Sequence, residues 1–326
     1  MTPIPVYLLL IAAAVGLAAW FATGRVTRWL ARRAILDRPN ARSSHSVPTP
    51  RGGGLGLLPP LLAGWCLLAF LAGDTIHWAL AGGAALLATV SWADDRRGLS
   101  AGIRLLAQCA AVVPAAALLP GPIAQGWLPG PVDTALAVLC WVWFVNLYNF
   151  MDGIDGISGV ETMAIGLGLF LVAAVVGPAD AGGFGLLLAA AAMGFLAWNW
   201  HPARVFLGDV GSVPLGFLTG GLLLVLAAGG HWAPALVLPL YYLADATITL
   251  VRRLLRGEAV WRAHREHFYQ EATRQGLGHA AIALRVAVAG AALVALALAS
   301  LTTPGLALAG AAALVAALLW ELGRRR

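Results

Sequence analysis

Residues 137–159 read AVLCWVWFVNLYNFMDGIDGISG, an apolar, aromatic-rich run that changes abruptly into a polar one. Asparagine, aspartate and glycine recur through residues 146–159, and another apolar run follows. An apolar run of about 20 residues is long enough for a membrane-spanning helix. The stretch therefore predicts the end of one span, a loop that bears carboxylates, and the start of the next span.

The composition of the chain excludes an ordinary soluble protein. Of its 326 residues, 60% are hydrophobic and only 11% are charged, whereas soluble domains carry about 25% charged residues. Short breaks separate apolar segments at 4–23, 54–73, 77–92, 104–120, 131–148, 159–177, 183–199, 213–228, 233–252, 281–300 and 305–322. They predict an all-α, polytopic integral membrane protein with about 10 or 11 transmembrane helices. Because no soluble domain intervenes, residues 1–326 are predicted to form a single domain.

The basic residues indicate the orientation of the chain in the membrane. All 21 are arginines, and they fall at or beside alternate loops of this span count: 24–53, 93–104, 200–212, 252–285 and the C-terminal end. Positive charge marks the cytoplasmic side, so we expect the N-terminus outside the cell and the C-terminus in the cytoplasm. Nucleic acid is not an expected partner, because the arginines flank spans and no soluble module surrounds them.

Four polar loops on the predicted cytoplasmic side carry the candidate chemistry. These loops are residues 146–159 and the stretches SWADDRRGLS (91–100), FLGDVGS (206–212) and WRAHREHFYQ (261–270). Bundled helices would gather their five carboxylates into one active site on cytoplasmic loops: Asp94, Asp95, Asp152, Asp155 and Asp209. Close carboxylates repel unless a cation neutralises them, and hard oxygen ligands suit magnesium or manganese. This pattern favours metal-assisted transfer on a phosphate ester or pyrophosphate, with arginines and histidines holding phosphate oxygens.

Each motif also has a purely structural interpretation. Asp94 and Asp95 could form ion pairs at a helix end, GDVGS could be an ordinary turn, and His264 and His267 could be surface histidines. The stretch 146–159 resists such an interpretation, since a connector between spans needs neither its asparagines nor its carboxylates. All four loops on one predicted face favour a functional site.

Five motifs, in this order, resemble those of the polyprenyl-phosphate N-acetylhexosamine-1-phosphate transferases. They are DRPNARSSHSVPTPRGGG (37–54), ADDRRGLS (93–100), NLYNFMDGIDGISG (146–159), FLGDVGS (206–212) and HREHFYQ (264–270). The first and last are most similar to the branch that initiates O-antigen synthesis. The resemblance implies transfer of a sugar-1-phosphate from a UDP-sugar to undecaprenyl phosphate with Mg²⁺ or Mn²⁺, releasing UMP. It also implies a role in lipopolysaccharide or another cell-envelope glycan, and it raises a homodimer as an expectation.

The resemblance assigns roles to individual residues of this chain. It implies catalytic roles for Asp94, Asp95 and His267, with Asp94 deprotonating or orienting the lipid phosphate, and metal ligation by Asp209 and Asn149. It implies substrate binding by Asn146, Asp152, Asp155, His45, His264 and Arg265, with Asp155 at the uracil ring and Arg265 at the diphosphate. Ser43 and Ser44 before His45 depart from the enterobacterial pattern, as do Phe268, Tyr269 and Gln270 after His267. The departures near His267 bear on which sugar is transferred.

Two ionisable residues inside predicted spans leave a second function open. Asp245 and Glu161 could form an ion path in a polytopic transporter or flippase, which would place carboxylates near the middle of the membrane. An ionisable residue within a span is a functional candidate by default. Asp245 has two interpretations: a structural partner for Arg252 or a neighbouring helix, or the lower part of the active site. A non-catalytic scaffold is the third class, and it would not need the five motifs together.

Overall fold

The computed structural model describes residues 5–39, 47–73, 75–177, 179–259 and 264–324. These residues form thirteen helices: α1 (Val6–Arg32), α2 (Gly54–Ala72), α3 (Thr75–Arg97), α4 (Ala101–Ala116), α5 (Gly130–Phe150), α6 (Ile157–Val176), α7 (Ala179–Asn199), α8 (Asp209–Ala228), α9 (Trp232–Val237), α10 (Leu240–Leu255), α11 (Phe268–Arg274), α12 (His279–Ala299) and α13 (Pro304–Gly323). Two short strands, β1 (Leu36–Asp37) and β2 (Thr49–Pro50), pair antiparallel. The predicted all-α architecture is confirmed.

Within the described ranges, nine helices are long and apolar enough to cross a bilayer. They are α1, α2, α3, α5, α6, α7, α8, α12 and α13. At about 1.5 Å of rise per residue, a helix of 20 residues spans the roughly 30 Å hydrocarbon layer. The chain is therefore a multi-pass membrane protein, as its composition predicts.

Two predicted spans differ from the helices that form. The predicted span 104–120 is α4, whose 16 residues give a length of about 24 Å. The predicted span 233–252 is divided into α9 and α10, which meet at Leu238 and Pro239. Proline has no backbone N–H to donate to the preceding turn, so a helix breaks readily there. Hydropathy alone does not register such a break.

Small residues let the helices approach closely. At the contact between α6 and α7, a Cβ added to Gly166 would lie 2.5 Å from the carbonyl oxygen of Gly185. No side chain fits in that space, and close backbone approach of this kind is typical of helix packing in lipid. α8 lies between α3 and α5 and is the most enclosed of the described spans. Its N-terminal residue, Asp209, therefore lies near the C-terminal ends of α3 and α5.

The end of the bundle that contains Asp209 is formed by alternate helix termini. The C-terminal ends of α1, α3, α5, α7, α10 and α13 lie there with the N-terminal ends of α2, α4, α6, α8 and α12. The described arginines lie in or beside these termini, which agrees with their predicted clustering on one side. We call this region the arginine-rich end. Asp94 and Asp95 lie there within the last turn of α3, and not in a loop as the sequence pattern suggested, because the helix continues to Arg97.

Candidate active site

An arginine bridges two carboxylates at the centre of the arginine-rich end. Arg51 Nη2 lies 2.9 Å from Asp95 Oδ1 and 2.9 Å from Asp209 Oδ1. The side-chain amide of Asn149 donates to Asp209 Oδ1 at 3.1 Å and to Ser212 Oγ at 2.8 Å. Residues from four motifs that are distant in the chain thus meet here, and three of those motifs are predicted acidic loops.

Backbone contacts hold this centre in place. The carbonyl oxygen of Phe206 accepts hydrogen bonds from the N–H groups of Gly52 and Gly53 at 3.1 and 2.8 Å. Gly208, which precedes Asp209, has φ +74°, a backbone conformation that residues other than glycine rarely adopt. A Cβ on Gly208 would lie 3.2 Å from Asp95 Oδ2. That oxygen accepts the backbone N–H of Val210 at 3.1 Å, which fastens α3 to the first turn of α8.

A cavity of about 400 Å³ opens beside this centre. Six of the residues predicted from the sequence line it: Asp94, Asn146, Asn149, Asp209, His264 and His267. Its other walls include apolar side chains from α3, α4, α5 and α8, namely Leu87, Val90, Leu105, Phe150 and Val213. The cavity therefore joins a polar surface to an apolar one at the end of the spans.

Two of these residues are held by partners from α4. Asp94 Oδ2 lies 3.6 Å from Arg104 Nη1, and Asp94 Oδ1 accepts the backbone N–H of Leu99. Asn146 Nδ2 donates to Gln108 Oε1 at 2.8 Å, and Gln108 Nε2 donates back to Asn146 Oδ1 at 3.3 Å. Both Arg104 and Gln108 line the cavity, so α4 supplies one wall and two polar partners.

The two aspartates of the DGIDG loop have different surroundings. Asp152 Oδ1 accepts the hydroxyl of Ser158 at 2.7 Å, and burial raises the pKa of Asp152 to about 7. Asp155 Oδ2 accepts from His201 Nδ1 at 2.7 Å, and Asp155 Oδ1 lies 3.2 Å from His279 Nδ1. Burial raises the pKa of Asp155, but the hydrogen bonds from His279 and His201 outweigh it, and that pKa lies below its usual range. Neither aspartate lines the cavity, so the predicted contact of Asp155 with uracil remains a prediction.

The histidine segment covers another side of the cavity. The rings of His264 and His267 lie 4.8 Å apart, and burial lowers the pKa of His264 to about 4. His267 Nδ1 lies 3.1 Å from Asp245 Oδ1. Arg265 lies between the two histidines in sequence but is not among the residues that line the cavity. His45 falls outside the described residues.

Comparison with known proteins finds several membrane transferases that are similar in sequence. The family model of glycosyl transferase family 4 matches residues 77–227. A probable undecaprenyl-phosphate N-acetylglucosaminyl 1-phosphate transferase of Bacillus subtilis is 28% identical over 275 residues, covering 78% of this chain and 74% of that protein. The decaprenyl-phosphate N-acetylglucosaminephosphotransferase of Mycobacterium tuberculosis is 29% identical over 324 residues, covering 83% and 78%. A phospho-N-acetylmuramoyl-pentapeptide-transferase of Moorella thermoacetica is 38% identical over 96 residues, covering 29% and 30%.

The chain is thus similar in sequence to the polyprenyl-phosphate N-acetylhexosamine-1-phosphate transferases. The matched region 77–227 contains three of the five motifs, from Asp94 to Ser212. The first and last motifs lie outside it, and each supplies a contact to the site: Arg51 from the first and His267 from the last.

Several residues at the site carry little signal in the sequence. Arg51 stands within a quoted motif, and an arginine beside GGG was the available signal. Arg104 and Gln108 lie on the first turns of α4, where nothing in the local pattern marks them as polar partners. His201 and His279 lie outside the quoted motifs, and only the fold brings them to Asp155.

The oxygen atoms around Asp209 fit a hard divalent cation. Asp209 supplies a carboxylate, and Asn149 can supply its amide oxygen if the amide is turned over, since nitrogen and oxygen are assigned from their hydrogen bonds. Asp95 Oδ1 is close to Arg51 but, among the described residues, makes no hydrogen bond. Oxygen ligands of this kind suit Mg²⁺. Asn149 and Asp209, the predicted ligands, thus lie together. The buried Oδ1 of Asp95 lies near them and could accept a further contact.

Proposed function

We propose that the protein transfers N-acetylhexosamine-1-phosphate from a UDP-sugar to undecaprenyl phosphate. In this reaction an oxygen of the lipid phosphate attacks the β-phosphorus of the donor. The bond from that phosphorus to the oxygen bridging it to the α-phosphate breaks, and UMP leaves with the bridging oxygen. The second product is a polyprenyl-diphospho-sugar. Similarity to these transferases supports this class of reaction.

The observation that carries the proposal is the cavity at the arginine-rich end. Its polar wall presents Asp94, Asn149, Asp209 and His267, while its other wall is apolar. A lipid phosphate needs both surfaces, because its phosphate is polar and its chain is not. In a transporter, the carboxylates would be expected near the middle of the membrane, whereas these lie at helix ends.

The chain's own residues have separable tasks in this proposal. Asp94, held by Arg104 and the N–H of Leu99, orients the lipid phosphate. Asp209 and Asn149 would hold Mg²⁺ or Mn²⁺, which supplies neutralisation of phosphate charge when bound. His267, which lines the cavity, contacts the donor diphosphate, and the same contact by Arg265 stays a prediction from the motif. A phosphate dianion is already a nucleophile, so positioning and charge neutralisation provide most of the catalysis.

The donor and pathway follow from the relatives and the motifs. N-acetylglucosamine appears in the names of the Bacillus subtilis and Mycobacterium tuberculosis relatives, so UDP-N-acetylglucosamine is the first donor to test. The O-antigen branch and the homodimer stay predictions from the motifs. We place the protein in the bacterial inner membrane with the cavity facing the cytoplasm, where nucleotide sugars are made.

The test is UMP release by the purified full-length protein in detergent. Undecaprenyl phosphate, Mg²⁺ and a panel of UDP-N-acetylhexosamines are supplied to the native protein, Asp209→Asn and Asp133→Asn. Asp133 is a matched control, because it is a buried carboxylate that accepts the N–H groups of Ile123 and Ala124 at the opposite end of α5. We expect lipid-dependent UMP release with one sugar, a loss of at least about 100-fold in Asp209→Asn, and native turnover in folded Asp133→Asn. Equal activity in both variants would contradict the proposed site.

A further inference from the structure

Asp245 is an ionisable residue in the interior of α10, and the reaction above gives it no task. Its side chain is 0% exposed. A buried carboxylate is costly unless hydrogen bonds or an opposite charge compensate it. Its contacts therefore show what holds it in place.

Four donors surround the Asp245 carboxylate. Oδ1 lies 3.1 Å from His267 Nδ1 and accepts the backbone N–H of Phe268 at 3.1 Å. The hydroxyl of Thr249 reaches Oδ1 at 3.5 Å, and that of Tyr241 reaches Oδ2 at 3.4 Å. The two shorter contacts both come from the segment that carries His267, so α10 and the histidine segment are joined through this one carboxylate.

Arg252, the alternative partner from the sequence, is engaged elsewhere. Its guanidinium lies over the ring of Phe268, 4.7 Å from the centroid. The next arginine, Arg253, pairs with Glu258 at 2.9 Å. Arg252 is therefore not the partner of Asp245, whose contacts reach both the start of a neighbouring helix, α11, and His267, a residue that lines the cavity.

The contact determines which nitrogen of His267 carries a proton. An ionised carboxylate oxygen can only accept a hydrogen bond, so opposite an ionised Asp245 the Nδ1 of His267 is the donor. The His267 ring also lines the cavity, and Nε2 is the nitrogen left to meet a ligand there. The same ring is stacked on Tyr269 at 5.7 Å, and the hydroxyl of Tyr269 donates to the carbonyl oxygen of Phe150 at 2.8 Å. The ring is therefore fixed on two sides.

We propose that Asp245 is a positioning residue, which fixes the Nδ1–H tautomer and the orientation of His267 so that Nε2 faces the donor diphosphate. A carboxylate that orients a catalytic histidine through Nδ1 is a recurrent arrangement in enzymes. Asp245 itself touches no substrate. The inference deepens the proposed function, on which its kinetic test rests, while its spectroscopic test does not need turnover.

The spectroscopic test reads the tautomer directly. The chain has 7 histidines, so ¹⁵N-histidine labelling of the full protein in detergent gives few signals, and His267 is assigned by its loss in His267→Ala. At pH 8 we expect a protonated Nδ1 in the native protein and a larger share of the Nε2–H tautomer in Asp245→Asn, whose amide can donate to Nδ1. Asp133→Asn should leave the signal unchanged. An Nε2–H tautomer in the native protein, or no change in Asp245→Asn, overturns the inference.

The kinetic test is a double-mutant cycle on lipid-dependent UMP release. We expect Asp245→Asn to lower kcat by about 10- to 100-fold with little change in donor KM, as for other residues that orient a catalytic group. In a His267→Ala background, Asp245→Asn should change kcat by less than about twofold, because the group it positions is gone. A merely structural Asp245 would lower kcat by the same factor in both backgrounds, and that result overturns the inference.

The two proposals fail in distinguishable ways. If native protein releases no UMP with any sugar, the proposed function fails, and the tautomer measurement still decides the role of Asp245. If native protein turns over and the cycle is additive, only the role of Asp245 is wrong. If Asp245→Asn does not fold, Asp245→Glu replaces it. A shifted but retained carboxylate should then preserve the Nδ1–H tautomer and part of kcat, and loss of that tautomer overturns the inference.

Discussion

Replacing Arg51 by methionine should make the stability of the protein depend more strongly on magnesium. Arg51 is the cation that lies 2.9 Å from both Asp95 and Asp209. Without it, the two carboxylates face each other with no neutralising charge from the first motif. A divalent cation at Asp209 would then replace part of what the guanidinium provides.

The size of the effect follows from the contacts and their exposure. Hydrogen bonds to charged groups contribute about 1.5–3 kcal/mol each, but the Arg51 side chain is 40% exposed. Exposed ion pairs contribute only about 0–1 kcal/mol, so we expect a loss of about 1–2 kcal/mol for the two contacts together. At about 2–4 °C per kcal/mol, Tm in EDTA should fall by about 2–8 °C.

The assay is thermal unfolding followed by the fluorescence of the 13 tryptophans, in EDTA and across a magnesium titration. Magnesium at 100 times its dissociation constant adds about 2.7 kcal/mol of stability, and the rise in Tm should be larger in Arg51→Met than in the native protein. Arg285→Met is the matched control, because Arg285 pairs with Glu321 at 2.7 Å away from the cavity. An equal magnesium response in all three proteins would refute the reasoning.

Further predictions concern the same site. Gly208→Ala forces a Cβ into a backbone with φ +74° and to 3.2 Å from Asp95 Oδ2; it should cost about 1–3 kcal/mol of stability, measured as Tm, and lower kcat. Asn149→Ala should raise the magnesium concentration for half-maximal UMP release by about 10-fold or more, whereas an unchanged requirement would exclude Asn149 as a ligand. Burial raises the pKa of Asp152 from 3.8 to about 7, so the native state retains a proton that the unfolded state loses as pH rises from 4 to 7, and stability falls across that window. Asp152→Asn removes this dependence, so the Tm of the variant relative to that of the native protein should rise with pH in EDTA. A Tm difference that is constant across this pH range would contradict the raised pKa of Asp152.

Hydropathy predicts the spans well because lipid imposes a local requirement on each segment. It is less informative at Pro239, where one residue divides a predicted span into α9 and α10, and at Asp94, where a polar helix turn continues past the apolar run. The sequence could predict only that the carboxylates lie on the same side of the membrane. The actual pairings depend on tertiary packing.

Those pairings join residues that are far apart in the chain. Arg51 and Asp209 are separated by 158 positions, and Asp155 and His201 by 46. Asp245 showed only that an ionisable residue lay within a span, and its partner His267 stands in another segment. A motif can indicate the chemistry of such residues, but the fold decides which atoms meet.

The most direct test of the central claim is the fate of the two phosphates of UDP-N-acetylglucosamine, or of whichever donor in the panel is active. The donor is labelled with ³²P at the α- or the β-position and incubated with the native protein, undecaprenyl phosphate and Mg²⁺. We predict that the β-label moves into the lipid product and that the α-label leaves as UMP. Release of both labels together as UDP would show cleavage of the sugar–phosphate bond instead, and would contradict sugar-1-phosphate transfer by this protein.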